Sequence, residues 1–143
     1  MICRFILVTC ILVIVISGVT ACSSTSATSI SSTTTTTDET ASIRAYADPA
    51  TQTTLEGLSE NDLAKYTQFA DAQFKAALTQ EVFDKTSALI KNQLGDFVTI
   101  TFLSTEKQDT YRIVHYQAKY TKGEAGVRMV FNQDHLISGQ WFE

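Results

Sequence analysis

The chain has 143 residues, 44% of them hydrophobic, with 11 Lys and Arg against 15 Asp and Glu for a net charge of −4. That length allows one domain at most, and an acidic balance without a basic stripe excludes nucleic acid as a partner. The three cysteines, Cys3, Cys10 and Cys22, all stand near the start, which excludes a disulfide framework or a thiolate metal site from everything after them.

Met1–Ala21 follows the plan of an export signal: Arg4 supplies one positive charge, Phe5–Ile16 is almost unbroken apolar chain, and Ser17-Gly18 loosens the helix before the cleavage region. Val19-Thr20-Ala21-Cys22 has the form of a bacterial lipobox, a branched aliphatic and two small residues before the cysteine. Cys22 is therefore expected to carry lipid, after cleavage of residues 1–21. An ordinary signal cut elsewhere and an uncleaved anchor remain as alternatives. Phe5–Val19 is short for a span of about 20 residues. All three place the domain outside the cytoplasm, and the lipobox reading places it in the bacterial cell envelope, lipid-anchored on the extracytoplasmic side of a membrane.

Residues 22–54 are expected to form a flexible tether. Ser23–Thr40 is mostly Ser and Thr with no aromatic residue, and such a segment buries too little apolar area to offset its ordering entropy. Fully stretched, a tether from Cys22 to Leu55 reaches about 110 Å. Glycosylation of the tract is left open.

The folded part is expected over residues 55–143. Ser59 and Asp62 suggest a capped helix start, with Leu58 and Leu63 as its staple. Leu63, Tyr66, Ala70, Phe74 and Ala77 then recur at helical spacing. Thr79 begins a second helix, whose stripe is Val82, Thr86, Leu89, Ile90 and Leu94 and whose stop is Gly95. The expected helices are Glu60–Leu78 and Gln80–Leu94.

From Phe97 the apolar period falls to two. Phe97–Ser104, Tyr111–Tyr120, Gly126–Asn132 and Leu136–Phe142 read as strands joined by short polar turns. Turning at Lys122-Gly123 and at Gln133–His135 sets Tyr116 against Met129 and Val127 against Trp141. One face then collects Val98, Ile100, Val114, Tyr116, Ala118, Val127, Met129, Phe131, Ile137 and Trp141, for the helices to cover. The other carries Tyr111, Ile113, His115, Gln117, Arg128 and Val130 among Thr, Asn, Ser and Gln residues. That mixture is expected of a surface that meets a partner part of the time. The fold class is α+β: two N-terminal amphipathic helices on a curved four-stranded antiparallel meander.

That pattern resembles the cystatin-like or nuclear transport factor 2-like superfamily. More narrowly, residues 55–143 resemble a small bacterial domain of unknown function found on exported proteins, alone or ahead of an α/β-hydrolase. The matching residues are the Ala72–Phe83 helix junction, Gly95 before the first strand, and the ending Phe131-Asn132-Gln133-Asp134-His135-Leu136-Ile137-Ser138-Gly139. No Gly-x-Ser-x-Gly elbow accompanies them. The resemblance implies a pocket between sheet and helices and a tendency to dimerise through the sheet, but no reaction.

Candidate site residues divide into two sets. Tyr66, Tyr116 and Trp141 are expected to line an apolar pocket or simply to pack the core. Tyr111, Ile113, His115, Gln117, Arg128 and Val130 form the candidate interface, with Arg128 opposite Gln117. His115 lacks an orienting carboxylate in this register, and His135 beside Asp134 reads as a solvated turn. No catalytic set, metal site or cofactor is expected. The leading expectation is a lipid-anchored extracytoplasmic interaction module, meeting a second copy, an envelope protein or a small apolar ligand. A pocket enzyme of the isomerase or dehydratase kind and a purely structural envelope protein are the alternatives.

Overall fold

The computed structural model describes residues 32–143; the expected signal, the lipobox and Cys22 lie outside the described residues. The first described helix, α1 (Ser32–Glu60), occupies sequence expected to be tether. Ile43, Ala47, Ala50, Thr51, Thr54, Leu55 and Leu58 are buried along it, at spacings that define one helix face. Small Ala and Thr side chains make up most of that stripe, so it has little hydrophobic contrast, and Thr is a weak helix former. Packing holds it instead. Leu55 and Leu58 are fully buried, each stabilising the fold by roughly 1.5–3 kcal/mol. Pro49 lies inside the helix but on its exposed side, where the Ala45 carbonyl, deprived of its helical donor, faces water.

The helix start expected at Ser59 is thus a helix end. Asn61 takes the left-handed conformation at φ 58°, Asp62 N–H donates to the Gly57 carbonyl at 2.8 Å, and Asn61 N–H to that of Leu58 at 3.4 Å. This is the Schellman closure. The backbone of Tyr66 then crosses Gly57 so closely that a Cβ there would collide with it.

The single helix expected over Glu60–Leu78 is divided into α2 (Leu63–Tyr66), capped by Asp62, and α3 (Ala72–Ala77), capped by Asp71. Residues between them are drawn out by tertiary pairing: Asp71 N–H donates to the Ile137 carbonyl at 2.9 Å, and Ile137 N–H to that of Phe69 at 2.8 Å. Helix α4 (Gln80–Leu94) matches its expected bounds, with Thr79 as cap and Gly95 at φ 85° as stop. Its buried face is Phe83, Ser87 and Ile90, whereas Val82 and Leu89 are exposed. Ser87 causes the rotation, because its hydroxyl donates to the Leu58 carbonyl at 2.7 Å in the interface with α1. A hydrophobic count places a serine outside.

Strands β1 (Phe97–Gln108), β2 (Tyr111–Tyr120), β3 (Glu124–Phe131) and β4 (Ile137–Phe142) form an antiparallel meander in chain order, curled but not closed. The β2–β3 hairpin pairs Tyr116 with Val127 and Val114 with Met129, two residues from the expected register. An even slip keeps every side chain on its face. The β3–β4 pair keeps Phe131 opposite Ile137, but a bulge beside Phe131 then sets Val130 against Gly139 and Arg128 against Trp141. Gln140 and Phe142 consequently turn inward, and Trp141, expected inside, turns outward. Irregular register in β1 falls at Val98 and Leu103, and both are exposed. Simple alternation places Val98 inside, and the irregularity turns it out. The core lies between α1 and the inner face of Val114, Tyr116, Ala118, Tyr120, Val127, Met129, Phe131 and Ile137.

Candidate functional site

The outer face of the sheet gathers four of the six expected interface residues, His115, Arg128, Ile113 and Val130, in two cross-strand rows. One runs Ser104, His115, Arg128, Trp141, and the next Glu106, Ile113, Val130, Gly139. Arg128 therefore stands beside His115 and Trp141 rather than opposite Gln117, which pairs with Gly126. The Arg128 guanidinium carbon lies 4.5 Å from the centroid of the Trp141 ring, within cation–π range. A Cβ at Gly139 would collide with that same ring, so the glycine leaves the indole its place.

Carboxylates also reach this face, contrary to expectation. Glu106, expected in a turn, belongs to the lengthened β1, and Glu143 follows β4. His115 Nε2 lies 3.7 Å from Glu106 Oε1, and its Nδ1 lies 3.7 Å from Glu143 Oε2. Glu143 Oε1 lies 3.5 Å from Arg128 Nε. These separations suit ion pairing and exceed hydrogen-bond length. Glu143 sits against Gly126, its N–H donating to the Gly126 carbonyl at 2.9 Å. The strand lengths that bring both acids here depend on the bulges, and the alternation of the sequence shows no sign of them.

Trp141 is 47% and Tyr111 44% exposed, whereas Ile113 is only 6% exposed. The aromatic residues, more than Ile113, thus present the apolar surface. Between them opens a cavity of about 350 Å³ lined by Gln108, Asp109, Tyr111, Ile113, Arg128, Val130 and Trp141. A second, of about 280 Å³, shares Tyr111 and Val130 and continues to Ser138, Asp71 and the α3 residues Gln73, Phe74 and Ala77. The shared residues join them into one furrow across the face.

Asp71 holds the far end of that furrow. Its carboxylate accepts from Phe74 N–H at 2.7 Å and from the Ser138 hydroxyl. The Phe74 amide, and then Ser138, hold its pKa below the usual carboxylate value.

The aromatic pocket expected from Tyr66, Tyr116 and Trp141 is not assembled. Tyr66 is buried beside Phe83, its hydroxyl donating to Gln140 Oε1 at 2.9 Å. Burial pushes its pKa up to about 12. Tyr116 is fully buried, and its hydroxyl donates to Asp48 Oδ1 at 2.9 Å. Burial first, and then Asp48, raise its pKa. The inner side thus receives a carboxylate from α1. Its other oxygen is 2.9 Å from Arg44, whose guanidinium lies 5.0 Å from the Phe102 ring centroid. Trp141 lies on the opposite face of the sheet. Among the described residues no group of three His, Cys, Asp or Glu side chains is placed to hold a metal ion, and no helix is long and apolar enough to cross a membrane.

Residues 52–139 match the model of a family described as Protein of unknown function (DUF3887). No curated protein matches the chain. Among solved structures, the NMR structure of a protein from Ruminococcus gnavus ATCC 29149 is similar, with a TM-score of 0.51 and 18% identity. The alignment covers 71% of this chain and 88% of that one, and at that identity the likeness concerns the fold.

Proposed function

From the premise that the chain belongs to the DUF3887 family, we propose that it is a non-catalytic interaction module, held by a lipidated Cys22 on the extracytoplasmic side of a bacterial membrane, that associates with a second copy through the outer sheet face. The observation that carries this reading is the exposed Tyr111 and Trp141 with the half-buried Arg128 around one furrow. Aromatic and Arg side chains dominate the energetics of protein interfaces. Charges of both signs stand together here, Arg128 beside Glu143 and, across His115, Glu106. A two-fold contact can set each against its opposite. Proton-transfer chemistry has less support, because His115 does not line the cavity and its two carboxylates stand beyond hydrogen-bond reach.

Sedimentation equilibrium of the full chain in detergent micelles tests the association. We expect a reversible dimer, weakened at least tenfold by Trp141→Ala combined with Arg128→Glu, a loss of the size given by central interface residues. A wild-type chain that stays monomeric at high concentration, or a double variant that dimerises as well as wild type, overturns self-association. Cys22→Ala tests the anchor: the chain should leave the membrane fraction or remain unprocessed, and unchanged, normally processed membrane partitioning would refute lipidation.

A further inference from the structure

We propose that another cavity, at the β1–β2 hairpin end of the sheet beside α1, is a binding site for a carboxylate group. It has a volume of about 140 Å³ and is lined from three directions. Tyr46 comes from α1, Lys107 and Arg112 from the β1–β2 hairpin, and Asn132 and His135 from the turn before β4.

The turn is built rather than slack. Asn132 Oδ1 accepts from the N–H groups of Asp134 and Leu136, each at 3.0 Å, and His135 is held at φ 62°. A left-handed histidine stores strain that surrounding contacts must offset. Here the imidazole stacks on Tyr46, centroids 4.0 Å apart and planes 6° from parallel. Tyr46 in turn packs edge-on against the buried Phe131. One wall is therefore a fixed aromatic pair, with cationic side chains beside it.

Arg112 supplies the recognition. Its side chain is only 22% exposed, and Glu39 of α1 already places a carboxylate oxygen 2.6 Å from one terminal nitrogen. Glu39 is itself mostly exposed, and a pair of that kind contributes little to stability. It marks the geometry in which this guanidinium receives a carboxylate, and it can yield to a better one. With Lys107 and Arg112 cationic and Glu39 anionic, the site carries about one positive charge. That balance matches one carboxylate, whereas a phosphate brings nearly two negative charges. The volume admits a carboxylate with a small substituent, either a free small acid or the end of a peptide.

The test is calorimetric and NMR titration of the full chain with acetate, N-acetyl-alanine, N-acetyl-alanine amide and inorganic phosphate at constant ionic strength. N-acetyl-alanine should bind and shift the Tyr46, Arg112 and His135 resonances, while its amide should not. Tighter binding of N-acetyl-alanine than of acetate assigns the site to chain termini; equal binding assigns it to small acids. Arg112→Gln should weaken binding at least tenfold, as loss of a charge-assisted pair does. Glu39→Gln should tighten it about threefold by removing the internal competitor. Arg112→Lys keeps the charge without the fork and should fall between wild type and Arg112→Gln, which guards against a folding defect in the latter. Binding of the amide equal to that of the acid, phosphate binding more tightly than either carboxylate, or unchanged affinity in Arg112→Gln would overturn the proposal. Trp141→Ala should leave this site untouched, which separates it from failure of the outer-face reading.

Discussion

The Arg128 guanidinium stands over the Trp141 ring, its carbon 4.5 Å from the centroid, and the two are cross-strand partners only because of a bulge beside Phe131. One extra residue on β4 moves the indole from the core side to the solvent side. Gly139 then leaves the space in which the ring lies.

That arrangement predicts a local effect of Gly139→Ala. The new methyl group must displace the indole, at a cost of about 1–2 kcal/mol, and weaken its contact with Arg128. Trp141 is the one tryptophan of the chain, so its emission reports this site alone. The emission maximum should shift and the thermal midpoint fall by a few degrees; an unchanged spectrum would mean the ring is held elsewhere.

Helix α1 is predicted to be part of the cooperative fold well before residue 55. Ile43 is 4% exposed, and Ile43→Ala should cost about 2–3 kcal/mol in denaturant unfolding. Ala50→Glu places a carboxylate where the side chain is buried and should prevent stable folding. Near-wild-type stability in both would return residues 43–50 to the tether.

Asp71 links acid stability to the furrow. Its pKa is lowered in the folded chain, first by the Phe74 amide and then by Ser138. The stability it contributes is therefore present above the unfolded-state carboxylate pKa of about 3.9 and is lost as pH falls through the lower folded value. Asp71→Ala should cost about 1–2 kcal/mol at neutral pH, as loss of a helix cap does. The deficit should shrink in acid, as measured by denaturant unfolding at several pH values.

Alkali should act through the buried tyrosines. Burial raises the pKa of Tyr66 and Tyr120 to about 12 and that of Tyr116 further. In the unfolded chain these phenols ionise near pH 10, so stability is complete below that value and declines above it. The loss is about 2–3 kcal/mol for each of Tyr66 and Tyr120 between pH 10 and 12. Phenolate absorbance should show a group of tyrosines titrating only with unfolding. If all five tyrosines titrated freely below the unfolding transition, the burial would be refuted.

Much of the sheet was legible in the sequence because parity is a robust signal. The strands Tyr111–Tyr120 and Gly126–Asn132 show it, and even a two-residue error in their register left Val114, Tyr116, Val127 and Met129 on the correct face. Parity fails at a bulge, and that is why Trp141 and Val98 were misplaced while Ile137 was not. The helices were harder. Thr79 and Gly95 mark α4 by cap chemistry that acts within one turn. Ser87 and the Ala and Thr stripe of α1 reach the core by contacts distant in sequence, and neither stands out by hydrophobicity. The candidate interface residues share the outer face, but their surroundings differ from those expected: the neighbours of His115 and Arg128 are Glu106, Glu143 and Trp141, all brought there by strand irregularities.

The early start of α1 also limits where the domain can work. Its 29 residues amount to about 43 Å of rod at 1.5 Å per residue, most of it taken from chain that was expected to be slack. If Cys22 carries the proposed lipid, Ser32 stands ten positions after the anchor, and ten peptide units span no more than about 35 Å. A mooring of that length would keep the domain within one molecular diameter or so of the headgroups. On the proposed anchor, a partner would be a neighbour in the same membrane or a molecule that comes down to its surface.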